Sequence, residues 1–176
     1  MATLFLMVGL PGTGKTTQAR RLEAERRALR LTKDEWVKAL YGSANPREET
    51  AVIEGRLIGV ALRALGLGVD VVLDFGLWSR DERTALRSAA RDAGAAVRLR
   101  HLDVDPVEQR RRIDRRHAHD AHTTWVMSDD EVAAWAAAFE TPTPGEVDDT
   151  EPLDDPPAGF ATWDDWRAHR WQPAVG

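Results

Sequence analysis

Cysteine is absent from the 176 residues. That excludes a disulfide framework, a thiolate metal site and a cysteine nucleophile, and it fits a reducing compartment. Lysine is scarce: only three of the 24 basic residues are Lys and the rest are Arg, a bias of the kind a GC-rich genome imposes, so arginine content alone carries no functional message. There is no excess of positive charge. The formal net charge of −5 gives no general attraction to a phosphate backbone or an anionic membrane, which argues against nucleic acid as a partner without excluding it. No long hydrophobic run occurs either. The N-terminal apolar stretch breaks at Gly9, too short for a membrane span, and no basic n-region precedes it, so the expected location is cytoplasmic, with no membrane partner. The sequence leaves the oligomeric state open.

What is present is ordinary globular material, 43% hydrophobic and 30% charged, in a length that suits one domain. The charge is unevenly spread. Glu140, Glu146, Asp148, Asp149, Glu151, Asp154 and Asp155 cluster with no Lys or Arg between them, and the remainder is close to neutral.

Short apolar runs alternate with helix-compatible segments. Residues 3–8, 28–32, 70–75 and 96–102 read as strands, with residues 15–28, 34–40, 47–65, 79–93 and a segment from Pro106 as helices between and after them. Asp34 stands where it could cap the second helix. Ser79 with Glu82, and Ser128 with Glu131, are capping boxes, the second opening a helix to about Phe139. The alternation predicts an α/β fold, a three-layer sandwich with a parallel sheet of four to five strands flanked by helices; residues 159–163 are a weak candidate for the fifth strand. Three segments are expected: a core over 1–140 with a lid helix at about 105–122, an acidic, Pro-rich, irregular linker over 141–157, and a Trp-rich tail over 158–176 packed on the core.

Between the first strand and first helix, Gly9-Leu10-Pro11-Gly12-Thr13-Gly14-Lys15-Thr16 matches G-x-x-x-x-G-K-[ST] in full, followed by Thr17. Glycines let such a loop wrap phosphates with its N–H groups inward, and the helix beginning near Lys15 adds its positive dipole end. Gly9, Pro11, Gly12, Thr13, Gly14, Lys15, Thr16 and Thr17 are therefore the expected nucleotide cradle, with Lys15 on the β- and γ-phosphates and Thr16 as the metal ligand. The nucleotide is expected to be ATP and the metal Mg²⁺.

The third strand ends Leu73-Asp74-Phe75, without the Glu that many motor ATPases place after that Asp to polarise water. Asp34 follows the second strand and so belongs at the ligand edge of the sheet, where it could take the proton of an acceptor hydroxyl. Asp74 could orient substrate or hold Mg²⁺ through water. Arg112 and Arg116 lie four apart in the helix after Pro106 and project from one side, a spacing that would clamp a triphosphate, while the other arginines there suit a solvated face paired with Glu108 and Asp114. Trp36 and Trp78 are expected to flank the acceptor's entrance as flat walls for a cyclic or apolar molecule. Trp135, at helical spacing with Val132 and Phe139, reads as core or an adenine-side wall. His117, His119 and His122, with Asp120 among them, could bind metal by spacing, but a polar lid tip is the better reading.

Taken in order, GLPGTGKTT, Asp34, VVLDFGLWSRDER and HLDVDPVEQRRRIDRR resemble the small P-loop kinase group that includes zeta toxins, polynucleotide 5′-kinases and chloramphenicol phosphotransferase. The resemblance covers roughly residues 1–140. It implies a five-stranded parallel core, Mg-ATP, Asp34 as general base, Arg112 and Arg116 as the lid, and a match for Arg83 with an arginine of the helix after strand three, at the substrate. The sequence departs from related small-molecule kinases at Thr32-Lys33, where another Asp is common. The function expected is transfer of the γ-phosphoryl group to a hydroxyl of a small molecule, such as an antibiotic or secondary metabolite. A polynucleotide 5′-hydroxyl kinase, a nucleotide-sugar kinase and a slow nucleotide-binding switch stand as alternatives.

Overall fold

A computed structural model describes residues 1–42, 46–119 and 125–171. The sheet has four parallel strands, β1 (Thr3–Val8), β2 (Leu29–Leu31), β3 (Val71–Gly76) and β4 (Ala96–His101), in the order β2-β3-β1-β4. β1 is inside the sheet, paired with β3 on one side and β4 on the other, which is why its six residues are almost uniformly apolar.

Side chains alternate across the strands with a period of two. Leu4, Leu6 and Val8 of β1 and Val71, Leu73 and Phe75 of β3 join the larger core, while Phe5, Met7 and Val72 join the smaller one with Ala19 and Leu22. Ala19 and Leu22 belong to α1 (Lys15–Arg26). By the same period Asp74 shares the face of Val72, which carries it to the α1 side of the sheet. The larger core is closed by α3 (Arg47–Gly66) through Leu57, Ile58, Ala61 and Leu65, and by α4 (Arg80–Asp92) through Ala85, Leu86 and Ala90.

The remaining helices are α2 (Lys33–Tyr41), α5 (Pro106–His119), α6 (Asp129–Ala138), α7 (Pro144–Asp148) and α8 (Trp163–Arg170). Both expected capping boxes form, at Ser79–Glu82 and Ser128–Glu131. The N-cap of α2 is Thr32, two residues before the expected cap, so Asp34 is not a cap but lies in the first turn. No strand forms at 159–163. Gly159 has φ +99° and turns the chain, and Thr162 then caps α8 with Asp165 as its capping-box partner. Of the lid helix, residues 120–122 lie outside the described residues.

The acidic stretch is more ordered than the composition predicts. Thr143 and Glu146 form a capping box on α7, which packs near β4 and fastens α4. The carboxylate of Glu146 accepts from Arg83 Nε at 2.8 Å and Nη2 at 3.1 Å, a bidentate pair in which both residues are essentially inaccessible, at 0% and 1% exposure. Arg80 reaches Glu151 and Asp154, and Arg87 reaches Asp149. Acidic clustering there is thus the counter-charge to a row of α4 arginines, spaced three and four apart so that they share one face. Trp163, Trp166 and Trp171 are buried in the larger core and stack edge to face, with centroids 5.6 and 5.7 Å apart.

Candidate active site

The loop after β1 is shaped by its glycines. Gly9, Gly12 and Gly14 have φ +145°, +80° and +98°, values that L side chains rarely adopt. A Cβ on Gly9 would also come within 2.4 Å of the Leu102 carbonyl oxygen. Thr13 donates its hydroxyl to Leu10 O at 2.9 Å, and Lys15 turns back over the loop to donate Nζ to the same carbonyl at 2.7 Å. Helix α5, the expected lid, is tied to this loop: Gln109 Nε2 donates to Pro11 O at 2.8 Å.

A cleft of about 730 Å³ opens over the loop. Pro11, Gly12, Gly14, Lys15, Thr16 and Thr17 form its floor, whereas Gly9 and Thr13 shape the loop from beneath. Asp34 and Asp74 line it from the ends of β2 and β3. From α5 come Arg112 and Arg116, the pair four apart, and Arg115 joins them. Trp78 lies at the wall against Trp135, ring centroids 5.7 Å apart.

Two expected site residues are elsewhere. Trp36 is 53% exposed and does not line the cleft, whereas Lys33 and Asp34, in the first turn of the same helix, do. Arg83 does not reach the cleft; its guanidinium is committed to Glu146 and, through Nη1, to the carbonyls of Leu77, Trp78 and Glu140. No group of three metal-ligating side chains occurs among the described residues, and His122 and Asp120 lie outside them.

Sequence reasoning missed Arg20, Arg115, Lys33 and Trp125 as lining residues. Arg20 and Arg115 had a usable signal: Arg20 is four residues beyond Thr16 on α1, and Arg115 is three beyond Arg112. Trp125 had none, since it lies in irregular chain.

The electrostatics are set by burial. Burial pushes the Lys15 ammonium down from 10.5 to about 8, although the Asp74 and Asp34 carboxylates pull it upward. Asp74 moves the other way: burial raises it, against a hydrogen bond from Thr16 and the Lys15 charge. One Asp74 oxygen, Oδ2, is buried with no hydrogen-bond partner among the described residues, and Arg30 Nη1 stands 3.8 Å from it. A buried carboxylate oxygen without a partner, beside a threonine hydroxyl at a phosphate loop, is a donor set that suits a hard divalent cation such as Mg²⁺. Lys33 is held above its ordinary value because the Glu54 and Asp34 carboxylates outweigh its desolvation. Glu108, held at about 2 by Arg111 and Arg112, holds Arg112 along α5 through a 2.7 Å bond four residues apart.

A family model described as an AAA domain (AAA_33) matches residues 4–142. The chain belongs to that family. The match spans the phosphate loop, both carboxylates and the lid helix, so the family is a P-loop, kinase-like domain. Among solved structures the chain is similar to Kti12 of Chaetomium thermophilum in complex with ADP-AlF3, at 20% identity and TM-score 0.65, over 98% of this chain and 100% of that one. It is also similar to a chain of the Pnkp1/Rnl/Hen1 RNA repair complex, at 16% identity and TM-score 0.67, over 87% and 47%. A third likeness is to a sugar kinase of Janibacter sp. HTCC2649, at 20% identity and TM-score 0.56, over 82% and 80%. At these identities the likeness is one of fold. No curated protein matches the chain significantly. Among the described residues no helix is long and apolar enough to cross a membrane.

Proposed function

We propose that this AAA-family chain is a phosphotransferase that moves the γ-phosphoryl group of Mg-ATP to a hydroxyl of a small molecule. The observation that carries the reading is a carboxylate, Asp34, in the same cleft as the Lys15 loop and just after β2, at the opposite edge of the sheet from β4, which leads into the helix of Arg112 and Arg116. The other cleft carboxylates have other partners: Asp74 takes the Thr16 hydrogen bond, and Glu108 is held by Arg111 and Arg112. With Asp74 beside Thr16 on the metal side, Asp34 is the carboxylate to which this reading assigns the acceptor proton.

In the step, the acceptor oxygen bonds to the γ-phosphorus as the bond from that phosphorus to the β–γ bridging oxygen breaks. The hydroxyl proton passes to the Asp34 carboxylate, and ADP departs with the bridging oxygen's electron pair. Lys15 and the α1 N-terminus meet the negative charge on the β- and γ-phosphates, and Arg112, Arg115 and Arg116 approach the same oxygens from α5. Thr16 and Asp74 would hold Mg²⁺, which when bound supplies positive charge at the phosphate oxygens.

A slow switch ATPase would need a carboxylate placed to polarise water. Gly76 stands two residues after Asp74 and Phe75 directly after it, so that position offers none. The reading is tested by ADP release from Mg-ATP across hydroxylated small molecules, sugar nucleotides and 5′-hydroxyl oligonucleotides. Stimulation by one class supports transfer to a hydroxyl; a flat response with intact nucleotide binding contradicts it.

Lys15 gives the binding step a pH signature. Phosphate stabilises the charged ammonium, so bound nucleotide raises its pKa above the free value of about 8. Affinity is therefore full below about pH 8 and falls as pH rises through that value, by up to about tenfold per unit until the pKa of the complex is reached. Titration of a non-hydrolysable ATP analogue across this range reads the slope, and a flat profile would show that Lys15 does not contact the phosphates.

A further inference from the structure

Adjoining the cleft is a second cavity of about 270 Å³, which shares Lys33, Phe75 and Trp78 with it. Its other walls come from four separate parts of the chain: Glu54 of α3, Ser79 and Glu82 at the start of α4, Ala138 at the end of α6, and Arg170 and Trp171 of the C-terminal segment. The lining is charged. Lys33 Nζ donates to Glu54 Oε1 at 2.6 Å, Trp171 Nε1 donates to Glu54 Oε2 at 2.9 Å, and Arg170 Nε donates to Glu82 Oε1 at 3.1 Å. The tail is tightly seated there, because the Trp171 carbonyl lies over Gly55, where a Cβ would stand 2.5 Å from it.

Leftover voids in a core are small and apolar, and burying charged groups is costly unless each is well paired. Here a carboxylate only 5% exposed and an ammonium bonded to it line open space. Glu54 uses two of about four acceptor sites and Lys33 one of three donor protons, among the described residues. Such a wall can both accept and donate, which matches hydroxyl groups, since a hydroxyl does both. The charges also balance, Lys33 and Arg170 against Glu54 and Glu82, so the cavity has no net pull on an anion or a cation. Trp78 and Trp171 add aromatic surface to the wall, beside these polar groups. The volume falls just below the range of about 300–1,000 Å³ that accommodates drug-sized ligands, so it holds a single ring and not a dinucleotide.

We propose that this chamber seats the body of the phosphoryl acceptor, and that the acceptor is a neutral, single-ring polyol whose reacting hydroxyl is directed past Lys33 to Asp34. The proposal rests on the phosphotransferase reading above. Trp171, Glu54 and Lys33 are then specificity residues that bind the acceptor, separate from the nucleotide cradle.

The test is steady-state ADP release from Mg-ATP with inositols and free hexoses set against sugar nucleotides and 5′-hydroxyl oligonucleotides. The best neutral ring acceptor is then carried into Ala138→Trp, an exposed position on the chamber wall where a bulky side chain takes up cavity space, and into Glu54→Gln. The expected result is stimulation by the neutral ring class, with the acceptor KM raised about tenfold or more in Ala138→Trp while the KM for ATP stays within about twofold. Glu54→Gln should also raise the acceptor KM, with the ATP KM and the melting temperature reported beside it. A sugar nucleotide or oligonucleotide as the best acceptor, or an unchanged acceptor KM in Ala138→Trp, overturns the chamber assignment and leaves phosphoryl transfer standing. No stimulation by any class, with Mg-ATP still bound, overturns phosphoryl transfer and the chamber together.

Discussion

Asp34→Asn is expected to lower acceptor-dependent phosphoryl transfer by about 10²–10⁴-fold, the range that a positioned general base contributes, while Mg-ATP affinity stays within about twofold. The amide keeps the shape of the carboxylate and the start of α2 but cannot take the acceptor proton. In the proposed mechanism nucleotide binding rests on different groups, the Gly9–Thr16 loop and Lys15, so the two readouts separate. Single-turnover transfer alongside equilibrium binding of ATP measures both. Loss of transfer and binding together would assign Asp34 to the nucleotide site, and retention of transfer would remove it from the chemistry.

The second large effect concerns stability. Glu146→Leu is expected to cost about 3–5 kcal/mol, since it strands the fully buried Arg83 guanidinium without its counter-charge. For a chain of this length that is a fall in Tm of roughly 6–20 °C. Arg83→Met in the same chain should restore part of the loss, because no buried charge is then left behind, although the carbonyls of Leu77, Trp78 and Glu140 lose their Nη1 donor. The pH dependence has a definite sign. Although desolvation alone would raise it, the Arg83 partnership dominates and holds Glu146 below the ordinary carboxyl value of 4.5. Its stabilisation is present above 4.5 and disappears as pH falls through the lower folded value. Thermal unfolding of wild type, single and double variants measures all three statements. A Glu146→Leu protein as stable as wild type would show that the acidic segment merely rests on α4.

The parts of this molecule that were legible in the sequence are those set by neighbours along the chain. The phosphate loop is eight consecutive residues whose glycines are required by their own backbone angles. Asp74 could be assigned to the strand end, and strand alternation carries it to the α1 side where Thr16 lies. The pairing of Arg83 with Glu146 was not legible, because 63 residues separate them and both residue types are ordinarily solvent-exposed. Likeness to other P-loop kinases pointed Arg83 at substrate, while the acids later in the chain read as an irregular linker. Only the fold brings them together. Trp36 was placed at the cleft from its closeness to Asp34 along the chain, but in a helix successive side chains point about 100° apart, so lying two residues from a cleft residue does not put a side chain in the cleft. The acceptor chamber was the least legible feature, since its walls come from residues 33, 54, 82, 138 and 171, and no local pattern joins them.

Following the fate of the γ-phosphorus by ³¹P NMR during turnover of Mg-ATP with an acceptor tests phosphoryl transfer most directly. The account predicts a growing phosphomonoester resonance matched to ADP formation, lost in Asp34→Asn. Inorganic phosphate as the sole product, formed at a rate that neither the acceptor nor Asp34→Asn changes, would contradict it.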